Sequence, residues 1–387
     1  MDIGWAGAAV VVGIGMTTAW RGSGRTPQSL AAEAIRAALD DAGVHASLID
    51  GLLSYVPGVS AEEVSTAFGF RELRHVSAKP MGGAFAVASL KEAGLALATG
   101  AASYVLIYLG GAQRANRSVF RMHPGIPGQQ FHTQLEHPYG WSRPAQWYAV
   151  MARRHMHDYG TTKEQLAAVA LTMRRHAQLN PGAYMYGREL TLDEYLAAPL
   201  IADPYQKFDC CLETDGGAAV LLTTADRAAD LRQPPVVVAG AAEGHPASGD
   251  DISNRPDWFD IGLSRAAPAA FAMAGTSPAE MDAAMIYDCF TFEVIQQLEE
   301  SGFCARGEGG PFVASGAIDR DGSLPVNTHG GLLSEGHLAG LNHIVEAVRQ
   351  LRGQAGARQL PRAGQIAVTG WGDLGDGALA VLRGPGA

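Results

Sequence analysis

IRAALDDAGVHASLIDGLLSY (Ile35–Tyr55) and APAAFAMAGTSPAEMDAAMIY (Ala267–Tyr287) lie over one another without a gap, at a constant offset of 232 residues. Six of the 21 positions are identical: Ala37/Ala269, Ala38/Ala270, Ala42/Ala274, Gly43/Gly275, Asp50/Asp282 and Tyr55/Tyr287. Each copy reads as an alanine-rich amphipathic helix, a turn glycine and an apolar strand. Order, turn glycine and acidic residue agree together, which favours duplication over chance similarity. The strands ahead of the two copies agree as well, Val236-Val237-Val238-Ala239-Gly240 echoing Val10-Val11-Val12-Gly13.

Working outward, strand and helix patterns alternate, as in an α/β fold. Strands are expected at Ala8–Ile14, Ile49–Val56 and Ser103–Leu109, and helices at Gln28–Ala42 and Phe85–Thr99. Gly82-Gly83 precedes one helix as Gly330-Gly331 precedes another, expected at Leu338–Leu351. From Gln113 to Asp203 the repeat is interrupted by a segment rich in His, Arg, Pro, Tyr and Trp, with helical stretches at Pro144–Tyr159 and Lys163–Leu179. Such an insertion usually carries binding rather than framework. The expected division is 1–227 and 228–387, with the insertion at about 114–203 in the first half.

Net charge is −10, which argues against a nucleic-acid surface; an anionic substrate would need a local basic patch. Forty-eight glycines in 387 residues exceed the usual share of about 7% and imply tight turns or close backbone approach to a ligand. The four cysteines, Cys210, Cys211, Cys289 and Cys304, have no paired ligand spacing, so no metal site is expected. Reduced thiols in a cytoplasmic enzyme are the expectation. The N-terminal apolar run reads as a strand rather than a signal peptide, and no stretch has the ~20 apolar residues of a membrane span.

Gly13-Ile14-Gly15 is a partial dinucleotide pattern that fits a strand-end turn better, because Thr18 stands where the third glycine belongs. G-x-S-x-G, Walker and H-E-x-x-H motifs are absent. Two segments carry chemistry: Tyr287-Asp288-Cys289-Phe290-Thr291, and Asn327-Thr328-His329-Gly330-Gly331 running to Ser334-Glu335-Gly336-His337. The second is a glycine-lined loop that delivers a histidine to a helix start, where the dipole favours the neutral imidazole. Tyr287 closes a strand, and Cys289 shares its face if the backbone is extended. An inert buried thiol is the expectation for Cys289.

The phrases Met81–Gly100, Tyr159–Ala167, Asn180-Pro181, Cys210-Cys211 before Asp215–Ala219, Tyr287–Thr291, Gly302–Cys304 and Leu324–His337 span nearly the whole chain. Together they resemble the thiolase superfamily, in the branch of sterol-carrier-protein-X thiolases and lipid-transfer-protein relatives. The resemblance implies a duplicated five-layer αβαβα core with an inserted loop domain. Thiolases use two cysteines, a Gly-His-Pro histidine and an Asn-Glu-Ala-Phe asparagine. By resemblance the nucleophilic cysteine falls on Gly83, the asparagine on Tyr287 and the histidine on His337. The second cysteine falls near Gly370-Trp371, in the turn that continues through Asp373–Gly377. Both thiols are absent, so the acyl-enzyme route is closed.

The branch includes steroid side-chain aldolases, with one tyrosine in a phrase like Tyr287-Asp288-Cys289-Phe290-Thr291 and another in a Ser-Glu-Gly-Tyr phrase, where this chain has His337. The resemblance thus implies retro-aldol cleavage of a β-hydroxyacyl-CoA of steroid or aromatic type. Tyr287 and His337 would exchange protons, and Gly83, Asn327, Gly330, Gly331, Gly370 and Gly372 would line the thioester site. It implies no covalently bound cofactor, with coenzyme A arriving as part of the substrate. It further implies a homodimer and a small OB-fold partner with a zinc ribbon. Two other readings are a thiolase-type acyl transfer through Cys289 and a non-catalytic acyl-CoA or lipid carrier.

Overall fold

The computed structural model describes residues 5–18, 21–55, 58–112, 132–246, 255–372 and 375–386. Val56, the first part of the insertion (113–131) and the turn residues Asp373 and Leu374 lie outside the described residues.

The first half runs β1 (Ala9–Met16), α1 (Pro27–Ala42), β2 (Gly51–Tyr55), α2 (Ala61–Phe68), β3 (His75–Lys79), α3 (Phe85–Ala98) and β4 (Tyr104–Ala112). The excursion that follows holds α4 (Pro144–Tyr159), α5 (Lys163–Ala177) and the small hairpin β5 (Leu200–Ala202) and β6 (Tyr205–Gln206). It returns to the main sheet at β7 (Asp215–Thr224). The second half runs β8 (Val236–Gly244), α6 (Leu263–Ala274), β9 (Ala283–Met285), α7 (Thr291–Glu300), α8 (Leu341–Leu351), β10 (Gln365–Trp371) and β11 (Gly377–Arg383).

Strand order is β3-β2-β4-β7-β1-β8-β11-β10-β9. The halves join where Val10 and Val11 of β1 pair with Val237 and Val236 of β8. Helix α1 covers the outer face of the first half and α6 that of the second, while α3 and α8 touch strands of both. This is the five-layer αβαβα order, and its central apolar core gathers Phe85, Leu90, Leu341 and Ile344.

The duplicated segments perform the same structural work. Both α1 and α6 end on a left-handed glycine, Gly43 and Gly275, which leaves the last helical carbonyls bonded. Asp50 accepts the N–H groups of Ser103 and Tyr104 at the entry to β4, at 2.8–2.9 Å. Its counterpart Asp282 accepts those of Gly364 and Gln365 at the entry to β10, at 2.8 and 3.1 Å. Each carboxylate therefore pins two neighbouring parallel strands in register. The third parallel strand of the second half shrinks to one bridge, Ala284 to Val326, which leads straight into Asn327.

One paired feature departs from the sequence reading. Gly331 opens only a short helical turn, Gly331–Ser334, and α8 starts at Leu341 rather than Leu338. The element that meets Gly83 is therefore Gly340, at the α8 start, and not Gly330-Gly331. Among the described residues, no helix is long and apolar enough to cross a membrane.

Removing a carboxylate that bonds two buried-edge N–H groups should cost about 1–3 kcal/mol. Asp282→Ala is thus expected to lower the urea midpoint of unfolding, as Asp50→Ala should in the other half; an unchanged midpoint in both would refute the shared role.

Candidate active site

Tyr287 lies two residues beyond the end of β9, and its backbone is gripped from both sides. Asn327, in a left-handed conformation (φ 51°), accepts the N–H of Ile286 and donates to its carbonyl, both at 2.7 Å. Gln297 on α7 donates to the Tyr287 carbonyl at 2.6 Å and is itself held by Thr369 of β10. Next in the chain, the buried Asp288 carboxylate accepts the N–H groups of Leu332 and Leu333, which open the 331–334 turn. His343 Nε2 lies 3.3 Å from the same carboxylate.

This grip aims the Tyr287 ring at the start of α3. A Cβ built on Gly83 would lie 2.3 Å from Tyr287 Cζ and 2.4 Å from the Trp371 carbonyl oxygen. No real Cβ tolerates such contacts, so the ring fills the space a side chain at 83 would need. The tyrosine hydroxyl meets His337 Nε2 at 3.2 Å, with the rings edge-on. His337 sits in the loop between the 331–334 turn and α8, its N–H donating to Thr214 Oγ1 at 2.7 Å.

Burial sets the charge state of both groups. It pushes the Tyr287 phenol well above its usual value, with Cys289 and Glu293 adding to the effect, so the hydroxyl stays protonated. It brings the His337 imidazole down to about 4, so the ring is neutral near pH 7. The sequence expectation of a neutral histidine is met for a different reason: desolvation dominates, because His337 stands four residues before α8 rather than at its first turn.

Tyr287, His337, Gly82, Gly83 and Trp371 form part of the wall of a cavity of about 900 Å³. Tyr55, the duplicate of Tyr287, lines it too. Around it stand Arg21, Arg143, Arg174, Arg188 and Lys207, against two carboxyl groups, Glu213 and Glu293. Burial raises the Glu293 carboxyl well above its usual range, which favours its neutral form. A chain with net charge −10 thus surrounds this one cavity with cations. Four of the five come from the excursion between β4 and β7, whose basic and aromatic composition was the available signal.

Residues 244–383 match the family described as "Thiolase C-terminal domain-like". The chain is 40% identical over 365 residues to "Steroid side-chain-cleaving aldolase" of Thermomonospora curvata, an alignment covering 90% of this chain and 91% of that protein. This chain belongs to the thiolase superfamily, in its sterol-carrier-protein-like branch. A second relative, "17-hydroxy-3-oxo-4-pregnene-20-carboxyl-CoA lyase" of Mycobacterium tuberculosis, is 39% identical over 90% of this chain and 92% of its own length. Among solved structures, "Ltp2-ChsH2(DUF35) aldolase" superposes with a TM-score of 0.92 at 36% identity, covering 99% of both chains. Human mitochondrial 3-ketoacyl-CoA thiolase, at 16% identity and a TM-score of 0.69 over 97% of this chain and 98% of that one, shares the fold.

Within this thiolase-superfamily site, five residues expected to touch substrate do other work. Asn327 is fully buried and clamps Ile286. Gly330 and Gly331 have φ +105° and +63°, and a Cβ on Gly331 would strike the Asp288 carboxylate at 2.0 Å. These two let the 331–334 turn close over Asp288. Gly370 sits in the β10–β11 ladder opposite Ala378, and a Cβ there would lie 2.6 Å from the Gly83 carbonyl. Gly372 donates its N–H to the Asp376 carbonyl at 2.7 Å, so it is not a free oxyanion donor. None of the five lines the cavity; Gly83, Tyr287 and His337 do.

Cys289, expected to be buried, is only partly so. It lines the cavity with Cys211, their sulfurs 3.2 Å apart. Sequence spacing concealed this pair, because 78 residues separate its members.

Gly83→Ala is expected to displace the Tyr287 ring, costing about 1–3 kcal/mol of stability through overpacking. A double-mutant cycle with Tyr287→Ala should show positive coupling, since removing the ring relieves one of the two clashes. Strict additivity would refute the packing account.

Proposed function

We propose that this chain is a carbon–carbon lyase that cleaves a β-hydroxyacyl-CoA by retro-aldol reaction, releasing a ketone or aldehyde and a shorter acyl-CoA. The acyl group is of a bulky steroid or aromatic type. Similarity to the two lyases over nine-tenths of the chain supports the reaction class. The observation that carries the mechanism is the Tyr287–His337 pair filling the place beside Gly83.

At rest both groups are neutral, so the imidazole accepts a proton and the phenol donates one. His337 takes the β-hydroxyl proton, directly or through the Tyr287 hydroxyl. The bond between the α- and β-carbons breaks, its electron pair passing to the thioester as an enolate. An imidazolium alone would be costly in this buried site, but it forms together with an enolate of opposite charge. Tyr287, still protonated, donates a hydrogen bond to the enolate oxygen, and the proton on His337 returns to the α-carbon. Atoms and charge balance without a covalent intermediate and without any cofactor beyond the coenzyme A of the substrate.

The cavity of about 900 Å³ suits such a substrate in size, being within the ~300–1,000 Å³ typical of ligand sites, and is walled mainly by apolar groups. Arg21, Arg143, Arg188 and Lys207 would hold the phosphates of coenzyme A. The chain is proposed to work in the cytoplasm as a homodimer with a small OB-fold, zinc-ribbon partner; the likeness to "Ltp2-ChsH2(DUF35) aldolase" supports a partner protein. Size-exclusion of the chain alone and after co-expression with its genomic neighbour checks this; a monomer in both cases would sink the assembly.

Incubation with a panel of steroid, aromatic and short-chain β-hydroxyacyl-CoAs should release a carbonyl product from the first two classes. Tyr287→Phe and His337→Ala are each expected to lower kcat by about 10²-fold or more with folding retained. Full activity in both variants rejects the pair.

The pH profile gives a separate check. A proton acceptor must be neutral, and His337 loses its proton at about 4 rather than near the ordinary 6.5. Activity should therefore persist as pH falls through 6.5, with this group's acid limb near 4. A limb centred near 6.5 that vanishes in His337→Ala would contradict the buried neutral imidazole.

A further inference from the structure

Cys211, Cys289 and His337 present ligand atoms that all lie within 4.8 Å of one another. They come from three segments, each fixed by backbone bonds. Cys210 is bridged antiparallel to Phe290, and the Cys211 N–H donates to the Cys289 carbonyl at 2.8 Å. That pairing sends both thiols to one side, with sulfurs 3.2 Å apart. His337 is tied by its own N–H to Thr214, three residues beyond Cys211. All three side chains line the cavity.

We propose that these three side chains bind a zinc-class divalent cation, with the fourth coordination position open to the cavity. Two thiolates and an imidazole are a donor set for a borderline-soft ion, with metal–sulfur bonds of about 2.3 Å and metal–nitrogen bonds of about 2.0–2.1 Å. Tetrahedral bonds of those lengths place the two sulfurs about 3.8 Å apart and each sulfur roughly 3.5–3.6 Å from the nitrogen. The sulfurs must open by about half an ångström from 3.2 Å, and His337 must close by up to about 1.2 Å from the 4.8 Å bound, movements of the size that side-chain rotation supplies. Binding releases the two thiol protons, and the 2+ ion with two thiolates leaves a site of no net charge. That balance suits a partly buried wall.

The consequence for catalysis rests on the retro-aldol reading above. If Nε2 takes the metal, it can no longer face Tyr287. If Nδ1 takes it, Nε2 carries the remaining proton and can only donate. Either way His337 ceases to be a proton acceptor, so the bound metal inhibits cleavage. The same imidazole serves the metal or the reaction, not both.

The test uses the purified protein, reduced until all four cysteines titrate as free thiols and stripped with a chelator. Cobalt(II) should bind at one equivalent and give sulfur-to-cobalt charge-transfer absorption, and zinc should displace it. Cys211→Ser, Cys289→Ser and the double variant should weaken binding at least roughly tenfold, with Cys304→Ser as the thiol control that changes nothing. In turnover assays, one equivalent of zinc should inhibit the wild type, and the double variant should show a smaller ratio of zinc-free to zinc-bound rate. No charge-transfer band in the reduced wild type, or an equal band in the double variant, overturns the metal site. Binding with the expected band, weakened in His337→Ala, but undiminished turnover of the wild type leaves the site standing and refutes His337 as the proton acceptor, whereas binding unchanged in His337→Ala overturns the three-residue site.

Discussion

The Tyr287 ring and the start of α3 occupy one small volume, and only a residue without a side chain at 83 makes that possible. Three backbones converge there. Gly370 of β10 packs on the Gly83 carbonyl, Gly372 on the Met81 carbonyl, and Gly340, at the start of α8, faces the ring itself. Their closeness leaves no void into which a reactive side chain on α3 could be restored by substitution alone. The missing nucleophile and the inserted phenol are therefore one structural fact. The glycines that read from the sequence as donors to a ligand are what permit this convergence.

Holding a polar ring in so tight a place requires support behind it. The support is a run of buried polar side chains in which Asp288, His343 and His329 follow one another, His343 Nδ1 meeting His329 Nε2 at 3.0 Å. Asn180 then ties the His329 carbonyl to Glu335, and Arg358 ties Asn180 to Glu346. Burial and the neighbouring His343 hold the His329 imidazole well below its usual value, which favours its neutral form. Such networks add little to stability over apolar packing, but removing one member strands the rest. Their effect here is geometric. They fix the 331–334 turn over Asp288, and with it both Tyr287 and His337.

Much of the framework was legible because it depends on neighbours in sequence. Helix α1 ends at a turn glycine whose copy ends α6, and Asp50 and Asp282 repeat because each anchors the next parallel strand. What could not be read depends on contacts between distant segments. Glycine followed by helix looks the same whether the helix lasts four residues or eleven, so the start of α8 was misplaced. Asn327 and Gly331 belong to a loop that looks like a binding loop, yet their partners are Ile286 and Asp288, some forty residues back, and Gly330 packs against Ala177. Cys211 and Cys289 meet only once the strand return brings Cys210 opposite Phe290. The five cations around the cavity are scattered from Arg21 to Lys207 and form no run.

Exchanging a nucleophile for a neutral acid–base pair alters what the cavity must stabilise. An acyl-enzyme route needs a thiolate, an anion present before the substrate is cleaved. The Tyr287–His337 pair carries no charge until the substrate itself loses a proton. On the proposed retro-aldol reading, burial would favour catalysis: it keeps the resting site uncharged and makes the attraction between imidazolium and enolate strong when both appear. The same burial would penalise any process that charges one partner alone. On that same reading, a substrate able to deliver the compensating enolate is what this arrangement would select.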